Sequence, residues 1–418
     1  MADHRVALTP AGPPPVQAPA GRPVALYVHV PFCVSLCPYC DFVVYAGSAA
    51  RGPVGRIAAF IPALLAEIDL RAAAWHAPEP LDSVYLGGGT PSLLPAESVT
   101  AVLARIRARF GIAADAEVTL EANPGSDERG DAMAWRDAGV TRISLGAQSL
   151  DERELRRLGR RHRPSDVAEA VAEARAAGIG SVSLDLLYDV PGQTTASWAA
   201  TLDRALALRP DHLSLYALTL DDPDADGLTG PTGDHLPTSR GARRWRTVAA
   251  GEQDEDRAVD QYRHAVELLA ADGWRGYEIS NWARPGHESR HNLAYWERRP
   301  YEAVGPGGHA FDGLTRRWNA ARLDGYLAAL TPSDGSPARL PPGGREVING
   351  PTAATEAAIL ALRLDTGLPL AAAVDPVLAE PLAWARRAGL LGLTADDRLV
   401  LTTDGRLLSN ELFARFVA

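Results

Sequence analysis

The chain has 418 residues, 46% of them hydrophobic, a formal charge of −10 and no lysine, all 42 basic residues being arginine. That length allows two or three domains around a large core. The composition excludes a bilayer-spanning run, a general nucleic-acid binder with a basic face, and lysine chemistry such as a pyridoxal-phosphate Schiff base or a Walker-type loop.

Residues 1–22, rich in Pro, Ala and Gly, read as a disordered tail without a secretory pattern. From 23 to 221, the β-branched runs VALYVHV, SVYLGGG, VTLEANP, RISLGAQ, SVSLDLL and HLSLYAL alternate with amphipathic segments such as ESVTAVLARIRARF and SDVAEAVAEARAAG. Strand–helix alternation predicts an α/β fold with parallel strands and helices outside. Six such units fit an open (β/α)6 partial TIM-like barrel better than a closed eight-unit one. Residues 222–253 read as a flexible, acidic, Gly/Pro-rich excursion, and 254–335 as an extension of the core. Residues 345–418 read as a small winged-helix-like α+β domain with a short RLVLTTDG hairpin. Its modest basic content suits packing or a partner rather than DNA.

The chemistry concentrates near the start. Cys33, Cys37 and Cys40 are the only cysteines, spaced C-x3-C-x2-C after the first strand. Three thiolates can hold three irons of a [4Fe–4S] cluster and leave the fourth open. Zinc is the alternative, although its structural sites take four protein ligands. Clustered, unpartnered cysteines also suit a reducing cytoplasm. In parallel α/β folds, functional groups gather at strand C-termini. Gly87–Thr90, Glu121, Asn123, Gln148 and Asp185 all end predicted strands and would share one mouth with the cysteine loop. Glu121 and Asp185 offer carboxylates to hydroxyls or an ammonium, and Arg160 a fork to a carboxylate.

The cysteine spacing after YVHVPF resembles the radical S-adenosylmethionine (SAM) superfamily. The resemblance implies a [4Fe–4S] cluster on Cys33, Cys37 and Cys40, with SAM chelating the open iron and an electron donor for the cluster. GGGTPS is similar to the segment that receives the methionyl amino group. YVHVPFC, CPYCDF, LGGGTPSLL, LEANPG, LGAQSL, LGRRH, DLLYDVPGQT, YEISNWARPGHESRHNLAYW and LTTDGRLLSNELF span Tyr27 to Phe413. Together they are similar to the HemN-like family, which contains oxygen-independent coproporphyrinogen III oxidase and the heme chaperone HemW. SAM contacts in that family fall at positions matching Tyr27, Gly88, Gly89, Thr90, Glu121, Gln148, Arg160, Asp185 and Thr219. Thr219 would act through its backbone, and Tyr39 stands where the oxidase has Phe.

Two features resemble the HemW form: Phe42 in place of a further cysteine, and the HNLAYW motif. The resemblance implies heme or a porphyrin as ligand, with His291, Asn292, Tyr295 and Trp296 as heme candidates, His162 as a weaker one, and Arg284, Arg290, Arg298 and Arg299 as a rim for propionates. Relatives often carry a cysteine before this motif, where Ser289 stands here. The implied partner is an acceptor hemoprotein, of the respiratory kind in relatives, with peripheral membrane contact allowed. The competing expectation is radical decarboxylation of coproporphyrinogen III.

Overall fold

The computed structural model describes residues 21–46, 54–75, 79–220 and 227–417. Of the tail read over 1–22, residues 1–20 lie outside the described residues, as does the start of the excursion, 222–226. Strands β1 (Ala25–Val30), β2 (Leu81–Gly88), β3 (Ile112–Ala122), β4 (Arg142–Gln148), β5 (Ser181–Tyr188) and β6 (His212–Ala217) pair in parallel, each with the next in sequence. Between them run α1 (Val54–Ala72), α2 (Ala96–Arg109), α3 (Ala132–Ala138), α4 (Glu152–Arg157), α5 (Pro164–Ala176) and α6 (Thr195–Ala207). β1 and β5 are buried along nearly their whole length, hence their near-continuous apolar runs, while β3 is exposed at Ala114 and Asp115 and β6 at Tyr216 and Ala217. The helices bury one stripe each; in α2 it is Val99, Val102, Leu103 and Ile106. Asp131, Asp151 and Thr194 accept backbone N–H groups at the starts of α3, α4 and α6, which fixes where each helix begins.

Among the described residues the sheet has twelve strands. Past β6 it continues through antiparallel Asn281–Ala283 and Arg275–Gly276. Past β1 it gains Tyr301–Val304 in parallel register, then antiparallel His309–Phe311, Thr315–Asn319 and Gly343–Val347. No ladder joins the two edges among the described residues, so the barrel is open. A parallel partner for β1 from the far end of the core was not expected. Its four residues, YEAV, sit between Pro300 and Gly305 and are too short to show a period.

The stretch read as an excursion holds a helix, α7 (Arg240–Ala250), followed by α8 (Glu255–Ala271). Ser239 and Asp254 accept the capping bonds, so Gly and Asp content there marks helix ends. The HNLAYW segment forms α9 (Arg290–Trp296). After residue 350, a second core of Leu362, Leu382, Leu399 and Leu412 gathers helices Gly350–Arg363 and Pro376–Arg387 around three short strands, a winged-helix-like unit. Its hairpin pairs Leu391–Leu393 with Arg398–Leu401. The TTDG half of RLVLTTDG instead starts a helix, because Thr402 accepts from the Gly405 amide.

Candidate functional site

The cysteine loop leaves the end of β1 and is closed at its base. Phe32–Cys33 pairs with Tyr45–Ala46, and the Tyr45 amide donates to Pro31 O at 2.7 Å. Inside the loop the Cys40 amide donates to Cys37 O at 3.1 Å. Arg246 of α7 holds the loop from outside, Nε donating to Pro38 O at 3.1 Å and Nη2 to Cys40 O at 3.0 Å. Beside it the rings of Tyr39 and Trp245 lie 6.3 Å apart, and the Trp245 indole donates to Arg157 O at 3.1 Å. Sequence reasoning missed Arg246; nothing in an Arg-rich helix marks one guanidinium as the one that faces inward.

Two donors reach the sulfurs. Thr90 Oγ1 donates to Cys33 Sγ and Arg160 Nη1 to Cys37 Sγ, both at 3.4 Å. Burial pushes the Cys33 thiol up to about 11, against the Thr90 bond. Burial, then the neighbouring sulfurs, raises Cys40 as well. Such thiols exchange a proton for a metal, with outer donors tuning the sulfur. No three His, Cys, Asp or Glu groups among the described residues converge as a single ion requires. Three thiolates, two of them accepting from Thr90 and Arg160, are a donor set that fits a [4Fe–4S] cluster.

The glycine motif packs on the base of the loop. The Gly89 amide donates to Val30 O at 2.9 Å and the Thr90 amide to Phe32 O at 2.8 Å. A Cβ at Gly89 would stand 2.7 Å from both Val30 O and Phe32 O, so only glycine allows this approach. Gly88, at φ 103°, donates its amide to Glu121 Oε2 at 3.0 Å, while Tyr85 OH donates to Oε1 at 2.7 Å. Burial pushes the Glu121 carboxyl up to about 7; these bonds pull against it and Asp185 adds to it. Asp185, also raised by burial, accepts from Ser144 Oγ at 3.1 Å. Gln148 stands at φ 63° beside a break in the β4–β5 register, a costly backbone for a residue with a Cβ. Arg160 Nη2 donates to Asn123 Oδ1 and, at 2.9 Å, to Gly146 O, and its Nε is buried without an acceptor.

The HNLAYW helix sits against the starts of the strands, opposite the cysteines. Ser289 caps α9, and its hydroxyl donates to Glu117 Oε1 at 3.2 Å. The amides of Arg290 and His291 also donate to the Glu117 carboxylate, which matches the positive end of the helix. This gives the serine in the relatives' cysteine position a structural role. His291 is 1% exposed, with Nδ1 bonded to Ser83 Oγ at 3.0 Å and Nε2 to Tyr295 OH at 2.7 Å. Burial pulls its pKa down to about 3. His162 is pulled to about 4 by burial, then by Arg160, and its Nε2 bonds Ala147 O at 3.0 Å.

One cavity of about 850 Å³ collects these groups. Its lining includes Tyr27, Cys33, Cys37, Tyr39, Cys40, Gly88, Gly89, Thr90, Glu121, Gln148, Arg160, Asp185, Thr219, His291, Asn292 and Tyr295. Trp296 is not in the lining; its ring lies under Arg363, whose guanidinium carbon is 4.4 Å from the ring centroid. The expected arginine rim is also displaced. Arg284, Arg290, Arg298 and Arg299 pair with Asp272, Asp115, Glu356 and Asp82 and do not line the cavity. Arg142, Arg363 and Arg406 do, the last two from the C-terminal unit.

Residues 27–205 match the model of the radical SAM superfamily. The heme chaperone HemW of Mycobacterium tuberculosis (strain ATCC 25618 / H37Rv) is 39% identical over 403 residues, 95% of this chain and 96% of that protein. HemW of Escherichia coli (strain K12) is 37% identical over 69% of this chain and 70% of its own length. The solved structure of E. coli coproporphyrinogen III oxidase, HemN, superposes with a TM-score of 0.77 at 23% identity, covering 96% of this chain and 91% of that one, a likeness of fold. Identity of 39% over nearly the full length of both chains establishes that the chain belongs to the HemW family of the radical SAM superfamily.

Proposed function

We propose that this protein is a heme chaperone: it holds a [4Fe–4S] cluster and SAM at the strand ends, binds heme in the same cavity, and hands heme to an acceptor hemoprotein. The observation that carries the reading is the convergence of the three cysteines, the SAM-motif positions and the HNLAYW floor on one cavity. Cys33, Cys37 and Cys40 would hold the cluster, with Thr90 and Arg160 donating to two of the sulfurs. When bound, cluster and SAM supply reductive cleavage of the sulfonium, fed by an external electron donor. Tyr27, Tyr39, Gly88, Gly89, Thr90, Gln148 and Thr219 would wall SAM. The buried carboxyls of Glu121 and Asp185 would take its ammonium or hydroxyls. The unpartnered Arg160 Nε would meet a carboxylate.

His291, Asn292 and Tyr295 would form the floor beneath heme. His291 would ligate iron only after giving up its bond to Ser83 or Tyr295, so a shaping role suits its geometry better than axial ligation. The test is anaerobic reconstitution with iron and sulfide, followed by heme titration and, in parallel, coproporphyrinogen III turnover with SAM and a reductant. Stoichiometric heme binding without protoporphyrinogen supports the chaperone. Turnover would make the protein a decarboxylase and overturn the reading.

A further inference from the structure

The cavity has two chemically different ends. Around the cysteine loop and the ends of β3 and β5 four carboxyls, Asp41, Glu121, Glu128 and Asp185, stand against two guanidinium groups, Arg160 and Arg161, a setting for a cationic ligand such as a sulfonium or an ammonium. At the other end the C-terminal unit contributes Arg363 and Arg406. Tyr216 also lines the cavity.

The arginine end is preorganised. Glu278, 0% exposed, accepts from the Ser280 amide at 2.8 Å and lies 3.4 Å from Arg363 Nη2. Arg406 donates through Nη1 to Glu278 O at 3.5 Å and through Nη2 to Gly276 O at 3.2 Å. Trp296 supports the Arg363 guanidinium from below at 4.4 Å. The Glu278 carboxylate thus matches Arg363, while Arg406 is held by main-chain carbonyls, so two guanidinium groups stand beside one carboxylate and the wall is net positive. Arg363 Nε is buried and has no acceptor. A buried charged donor left unmatched is costly unless a ligand completes it.

We infer that Arg363 and Arg406 form a carboxylate-anchoring subsite, which receives the acid groups of the second ligand while its body lies over the HNLAYW floor. This rests on the heme reading, in which the acid groups are the two propionates. It assigns to the C-terminal unit the orientation of that ligand, and to Trp296 the support of an arginine rather than contact with a porphyrin face.

The test compares heme with its dimethyl ester, titrated into full-length reconstituted protein in the same detergent. Wild type should bind the diacid at least about tenfold more tightly than the ester, the size expected for one charged hydrogen bond. R363Q and R406Q should each remove most of that preference and leave ester affinity unchanged, with cluster absorbance and SAM binding intact. Equal binding of diacid and ester by wild type would overturn the inference even if the variants fail to fold, while the heme reading would stand. Binding of neither form would remove both.

Discussion

The two ends of the cavity are built from different kinds of chain. The cysteine end comes from short motifs at the ends of consecutive parallel strands, each within a few residues of its strand. The clamp on the cysteine loop and the arginine wall come instead from α7 and the C-terminal unit, about 200 and about 320–370 residues from the cysteines. The first end is therefore fixed by topology, the second by packing between distant parts. Function at the second end should be easier to separate from folding of the barrel.

The largest effect should come at the first end. Cys37→Ser should abolish the cluster; a normal iron–sulfur absorption spectrum after reconstitution would break the account of the loop. Arg246→Ala should come next. It removes two charged bonds to loop carbonyls, of the kind worth roughly 1.5–3 kcal/mol each. Iron content per chain should fall several-fold and the cluster should bleach faster in air, with far-UV circular dichroism unchanged. Full iron content in that variant would mean the loop holds itself.

Glu121 sharpens the contrast through pH. Its folded pKa of about 7 lies above the ordinary 4.5, so the folded state holds the extra proton between these values. Stability of the unliganded protein should fall as pH rises through that window, and affinity for SAM should rise as the carboxylate forms. Thermal unfolding with and without SAM across that range reads both slopes. Glu121→Gln should flatten them and weaken SAM binding; unchanged slopes would remove Glu121 from the site.

How far the sequence reaches follows the same division. The cysteine spacing, GGGTPS, Glu121, Gln148 and Asp185 are legible because a strand end points its residues to the mouth whatever else the chain does. HNLAYW was legible as a motif but not in its placement. Side-chain bonds to Ser83 and Tyr295 put His291 in the barrel floor, and a cation–π contact turns Trp296 toward Arg363. The arginines that flank the motif in sequence pair with nearby carboxylates instead of lining the cavity. Arg363 and Arg406 reach the cavity only through the docking of the C-terminal unit, which has no local signal.

His291→Ala tests the floor. It leaves Ser83 and Tyr295 short of a partner in a buried site and should cost about 1–3 kcal/mol of stability, with cluster content unchanged. Heme affinity should fall only as far as the cavity loosens. Complete loss of heme iron ligation in a folded variant would instead make His291 the axial ligand. The smallest effect should be Arg290→Ala. Its pair with Asp115 is half-exposed at 3.3 Å, worth at most about 1 kcal/mol, and heme binding should not change.

The claim that most needs testing is that one cavity holds SAM and heme side by side. Heme titration into the reconstituted protein, with and without saturating SAM, tests it directly. The account predicts one heme per chain with the same affinity in both. Displacement of heme by SAM, or of SAM by heme, would contradict it.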